Sequence, residues 1–267
     1  MAMRYLQKAL EIKRATYPEF HSEVAKTLKN IGLVYEIRGS YDTAIQYFNQ
    51  SIEIHKAITG STSRDVALCL EQLAKCYYKK GETELAIQLC QQQIDAINSF
   101  SDGHHPLLGN AYTSLSIYYN QEGEVEAALG AVQKALHAVC RDFENENIFT
   151  NPELDNYNSW NYLFGALMAK GQYLYAQYLL TDDDQALATS FETYQLGVTL
   201  IDTLRKQLSY TTINDMGRKW LKAYEGGIKT AIAIYNLKND ERFLETAFRF
   251  AEESKAFSLE QQLAEIN

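Results

Sequence analysis

The side chains of this 267-residue chain best suited to chemistry are four cysteines and five histidines. A thiolate or an imidazole can ligate a metal, or form a nucleophile–base pair, when its partners fall at short, fixed spacings. Cys69, Cys76, Cys90 and Cys140 contain no C-x-x-C pair and have no His at ligand spacing. They read as small, buried helix residues in a reducing compartment. None of His21, His55, His104, His105 and His137 has a Cys, Ser or Asp at a motif spacing. His104-His105 could form a metal pair, but its place just before Pro106 points to capping of a helix N-terminus. Asp182-Asp183-Asp184 lacks the alternating ligands and closing Glu of a calcium loop and reads as a capping turn. Gly226-Gly227 precedes no phosphate-loop Lys, and Ser254-Lys255 are helix neighbours that point in different directions. No catalytic residue, metal site or cofactor is assigned, and the chain is not read as an enzyme.

Bulk properties narrow the alternatives. A net charge of −9 and a pI near 5.1 are the reverse of the basic face of a nucleic-acid binder. No apolar run reaches the ~20 residues that span a bilayer, and the first residues lack the apolar stretch of a signal peptide. The reading is a cytoplasmic protein with neither a nucleic-acid nor a membrane partner.

What must position any site is a repeat. Ile31-Gly32-x-x-Tyr35-x-x-x-Gly39-x-x-x-x-Ala44 recurs 42 residues on as Leu73-Ala74-x-x-Tyr77-x-x-x-Gly81-x-x-x-x-Ala86. It recurs again as Leu115-Ser116-x-x-Tyr119-x-x-x-Gly123-x-x-x-x-Ala128. In the second copy the spacing predicts a helix over about 64–80, opened by Thr62 or Ser63 and ended by a left-handed Gly81. A second helix is predicted over about 83–97, where Ala86 must be small because the two helices cross. Pro106 suits a first helical turn.

Small–aromatic–small patterns at these offsets resemble the tetratricopeptide (TPR) repeat. The resemblance implies an all-α solenoid, a right-handed superhelix of antiparallel helix pairs with about eleven helices in all. The longer period and the Gly103-His104-His105-Pro106 entry are similar to the repeats of kinesin light chains and of many bacterial regulators. Tyr5-Leu6-x-x-Ala9 sits one period before Tyr47-Phe48-x-x-Ser51, so the first repeat lacks its first helix and a longer protein is expected. Regular repeats are expected over 1–142, and irregular TPR-like pairs over 143–267. In the latter, Asn151-Pro152-Glu153 is read as the start of a long helix to about Leu180. Helices over about 185–207, 214–237 and 241–264 follow, with Ser190, Tyr194 and Gly197 at the small–aromatic–small offsets.

The last helix contains Phe248-x-x-Ala251-Glu252-x-Ser254-Lys255-Ala256-x-x-Leu259. It resembles a helix of TPR proteins that carry a C-terminal CHAT domain, a caspase-like protease fold, and Leu200-Ile201-Asp202-x-Leu204-Arg205 is similar to a helix upstream of it. This resemblance implies a bacterial regulatory arm that binds a partner and holds or releases its own C-terminal domain. The alternative is a cargo or signalling adaptor, or the sensor module of a bacterial regulator.

In TPR folds the first helices line a concave groove for a protein or peptide. Residues off the packing stripe are the candidates: Lys26, Lys29, Asn30 and Leu33 in the first copy, Gln72, Lys75, Tyr78 and Lys79 in the second. Asn110, Thr113, Ser114, Ile117 and Asn120 complete the set in the third. Amides can bond an extended peptide backbone, and Tyr78 and Ile117 can seat side chains.

Overall fold

The computed structural model describes residues 2–208 and 210–266, with side chains at 210–216, 218 and 260–266 outside the described set. Eleven α-helices and no strand occur among the described residues. The chain divides into two compact units between Glu124 and Val125. The first holds α1 (Ala2–Thr16), α2 (Ser22–Ile37), α3 (Tyr41–Thr59), α4 (Arg64–Lys80), α5 (Thr83–Asn98) and α6 (Pro106–Gln121). The second holds α7 (Val125–Val139), α8 (Trp160–Thr181), α9 (Asp184–Arg205), α10 (Tyr210–Lys238) and α11 (Glu241–Ile266). Within each unit every helix packs on the next in sequence.

The repeat period fixes the helix ends. His21, Ser63 and His105 are 42 residues apart, and each side chain accepts a backbone N–H at the start of α2, α4 or α6. These bonds satisfy donors that the helix itself leaves unpaired. Pro106 follows His105 as the first residue of α6, as its fixed φ suggests. At the other ends Gly39, Gly81 and Gly123 turn the chain with φ of +74°, +83° and +80°, a conformation costly to any residue with a Cβ.

The period also fixes the packing of α2 on α3. A Cβ added to Gly32 would lie 2.7 Å from the Phe48 ring, so the small residue is what admits the aromatic one. One turn further on α3, the buried Ser51 hydroxyl donates to the Ala25 carbonyl at 2.9 Å. In the next copy Ala86 is fully buried on α5, as its place at a helix crossing requires.

In the second unit the expected helix start at Asn151-Pro152-Glu153 is not observed; α8 begins at Trp160. The segment between α7 and α8 is instead a polar strap. Its ends are clipped by an antiparallel bridge between Cys140 and Tyr157, with Arg141 N donating to Asn156 O and Asn158 N to Val139 O. Its middle lies on Gln133 of α7, whose Nε2 donates to the carbonyls of Asn145 (2.6 Å) and Asn147 (3.0 Å). These bonds hold the segment in place without a helix, while most of it stays open to solvent and only Phe143 and Pro152 are buried. Asp182 ends α8 in the left-handed region (φ 54°), and the Asp183 carboxylate caps α9. The acidic triple is therefore a turn between helices. Gly226-Gly227 is a packing device. A Cβ on Gly226 would lie 2.2 Å from Tyr194, and one on Gly227 2.7 Å from Phe250. The Ser190 hydroxyl of α9 donates to Gly171 O of α8 at 2.6 Å.

Candidate protein-binding face

The thirteen groove candidates lie on α2, α4 and α6, all in the first unit. Lys26, Asn30, Lys79 and Ile117 are exposed, and Lys29, Leu33, Gln72, Lys75, Tyr78, Asn110, Thr113, Ser114 and Asn120 are half-buried. None is in the core. The half-burial follows from the close approach of successive first helices, because α2 contacts α4 directly.

Several candidates are engaged already. Lys26 Nζ lies 3.1 Å from Glu23, whose carboxylate also takes Lys13 at 2.8 Å. Lys13 first and Lys26 second hold that carboxyl down to about 2. Lys75 lies 3.4 Å from Glu71 one turn earlier. Tyr78 packs on the buried ring of Tyr118 with centroids 4.8 Å apart, and Lys79 stands over the Tyr78 ring. Tyr78 thus ties α4 to α6 and stays half-buried. The Thr113 hydroxyl is turned back to the Gly109 carbonyl.

Sequence reasoning missed Glu36. Its carboxyl is raised by burial, an effect opposed by Lys75, added to by Glu71 and opposed again by Lys79. It joins α2 to the charged cluster on α4. The signal was in the period: Glu36, Tyr78 and Asn120 are 42 apart, so Glu36 belongs with two residues already chosen. The face is a band of alternating charge at α2–α4 that gives way to amides, Tyr78 and Ile117 toward α6.

Lys170 was also missed. It is the one charged residue of α8, and it is fully buried. Its ammonium donates to Gln133 Oε1 at 3.0 Å and to the Thr150 carbonyl. Burial pulls its pKa down to about 7. The lone Lys in an otherwise uncharged stretch was the sign available in the sequence.

The thiols and histidines do not come together as a reactive group. All four cysteines are buried and free. Burial pushes Cys69 up and takes Cys76, Cys90 and Cys140 to about 12. The Cys90 thiol donates to the Ala111 carbonyl at 3.1 Å. His55 is buried, which lowers its pKa. No group of three His, Cys, Asp or Glu could hold a metal among the described residues. Ser254 donates to Ala251 O, while Lys255 pairs with Glu252.

Against known families, residues 1–57 and 65–139 match the tetratricopeptide repeat. The chain carries tetratricopeptide repeats. The fold agrees. A Podosopora anserina protein described as a kinesin light chain with nearly identical TPR-like repeats superimposes with a TM-score of 0.59 at 13% identity. That match covers 88% of this chain and 98% of the other. BtubC (BKLC) from P. vanneervenii gives a TM-score of 0.69 at 11% identity, covering 96% of this chain and 89% of that one. No curated protein matches the sequence. Among the described residues no helix is long and apolar enough to cross a membrane.

Proposed function

We propose that this TPR chain is a protein-binding scaffold whose first-helix face, from Lys29 and Glu36 across Lys75 and Tyr78 to Ile117 and Asn120, takes an extended peptide segment. The observation that carries the reading is the half-open state of Tyr78, seated on Tyr118 yet still accessible beside Lys75 and Lys79. Aromatic anchors of this kind dominate binding energy when a partner covers them. The test replaces Lys75, Tyr78 and Lys79 with Ala and compares partners co-purified by the variant and the parent. Equal recovery with an unchanged helical spectrum overturns the reading.

The finer form of the proposal is the partner-binding arm of a bacterial, cytoplasmic CHAT-type protease, its own C-terminal domain being the second partner. It is supported by how α11 uses its residues. The helix is held by Ala247, Phe250 and Phe257, which are buried, whereas Phe248, Glu252, Lys255 and Leu259 of the resembling motif are exposed along one face. Residues matching the motif and not needed for local packing are available to another domain. Reading the coding sequence past Asn267 tests this: strands with a His and a later Cys support it. A coiled coil, kinase or DNA-binding segment there would instead favour an adaptor or a sensor module.

A further inference from the structure

Each unit builds a wedge between two second helices of the hairpins, over the first helix that lies between them. In the second unit the wedge of α7, α8 and α9 is occupied by the strap. Gln133 of α7 holds the Asn145 and Asn147 carbonyls, Lys170 of α8 holds the Thr150 carbonyl, and the Thr193 hydroxyl of α9 lies 3.0 Å from Asn151 Oδ1. In the first unit the wedge of α1, α2 and α3 can be laid on it residue by residue. Gln7-Lys8-Ala9-Leu10 of α1 recurs three periods later as Gln133-Lys134-Ala135-Leu136 of α7. Ser51 of α3 donates to Ala25 O of α2, and Ser190 of α9 donates to Gly171 O of α8. Counted from these bonds, Val24 stands in the place of Lys170 and Ile54 in the place of Thr193.

The first wedge is open. A cavity of about 450 Å³ remains there, with Val24, Leu28 and Ile54 as its floor. Both of its walls, α1 and α3, are in place. The connector of the second unit, residues 140–159, is long enough to cross its wedge; the connector of the first, residues 17–21, is not, and Tyr17 stacks on His21 within it. Chain preceding α1 would enter at Ala2, roughly 18 Å along the helix from Arg14 at the cavity.

We propose that the wedge between α1 and α3 is a docking site for an extended segment of a partner protein, carrying one large apolar side chain flanked by Lys or Arg. None of its residues is among the thirteen groove candidates, so it is a second site. The occupant's chemistry follows from the contrast with the strap. The strap offers polar groups to Lys170 and Thr193, whereas Val24 and Ile54 require an apolar side chain. Phe20, 54% exposed at the lip, adds to its seat, and a single buried anchor of this kind carries much of a binding energy. The lip also bears Arg14, Glu19 and Glu53, none with an ion pair or side-chain hydrogen bond among the described residues. Two carboxylates against one guanidinium favour a basic flank. Gln7 is exposed and can hold the occupant's backbone carbonyls as Gln133 holds those of the strap.

The probe is the peptide acetyl-Gly-Ser-Lys-Phe-Lys-Ser-Gly-amide, titrated into the methyl-labelled full chain and followed by NMR. Saturable shifts are expected at the methyl groups of Val24, Leu28 and Ile54. Replacing the peptide's Phe with Ser should weaken binding about tenfold, and replacing both its Lys with Glu about fivefold. In the chain, Gln7→Ala should weaken binding about threefold. Glu53→Lys should reverse the preference, so that the Glu peptide binds better than the Lys peptide; should that variant lose helical signal, Glu19→Lys gives the same reading. Absence of saturable shifts overturns the proposal, as do shifts at Leu33 and Ile117 in place of the three floor residues, or indifference to the charge swap. Loss of binding when the protein carries coding residues upstream of Met1 also overturns it, since the site would then belong to the chain's own preceding segment.

Discussion

Replacing Lys170 with Met should flatten the pH dependence of stability of the second unit. An ordinary lysine titrates at 10.5; burial under the strap brings Lys170 to about 7. A base whose folded pKa lies below its unfolded value binds fewer protons in the fold. Stability therefore rises with pH between the two values and is flat below the lower one. The full difference is roughly 5 kcal/mol at about 1.4 kcal/mol per pKa unit, of which about 3 kcal/mol falls between pH 7 and 10. Met fills similar volume and carries no proton, but it leaves Gln133 Oε1 and the Thr150 carbonyl without this donor. Each orphaned group costs about 1–3 kcal/mol, so the variant should be near the parent at pH 7 and clearly weaker at pH 10. Both tryptophans, Trp160 and Trp220, lie in this unit, so urea unfolding followed by their fluorescence reads the right transition. Other titrations are common to both proteins and cancel in the difference. Parallel curves for parent and variant from pH 7 to 10 would refute the argument, because they would mean that Lys170 keeps its proton inside the fold.

The remaining predictions are independent of that lysine. Gly32→Val should lower stability of the first unit by about 1–3 kcal/mol through its clash with Phe48, read as a lower thermal midpoint by circular dichroism. His105→Ala should cost about 1 kcal/mol by removing the cap on Leu107 N, with faster amide exchange confined to the start of α6. At pH 8 a thiol reagent should label none of the four buried cysteines of the folded chain and all of them in denaturant, because their raised pKa values and burial both suppress the thiolate. Rapid labelling of Cys90 in the folded state would show that α5 and α6 separate readily.

The regular part of the fold was legible because one period carries several independent signals. Ser63, Gly81 and Ala86 each specify one feature of a helical hairpin, and α4 runs over the residues the spacing predicts. The strap was not legible. Pro152 resembles a helix start, and what keeps its surroundings non-helical is Gln133, almost twenty residues earlier, together with Lys170, almost twenty later. Contacts at that distance leave no local pattern. The charge on the candidate face was half legible. Lys26, Lys75 and Lys79 could be placed on it by helical spacing, but the pairing of Lys26 with Glu23 and of Lys75 with Glu71, and the field of Lys75 and Lys79 at Glu36, depend on side-chain reach and on how closely α2 approaches α4.

The caps at His21, Ser63 and His105 and the glycines at 39, 81 and 123 share the period of the core. Start signals, stop signals and buried face thus change together or not at all. Excising or duplicating any 42 consecutive residues of this region rejoins the chain in phase, whatever the cut point. The helical array can therefore lengthen or shorten by whole rungs through simple recombination, whereas a gain or loss of one residue inside a helix puts that helix's start signal, stop signal and buried face out of register with one another. The ruler that builds the fold also sets the step by which its descendants can differ in size.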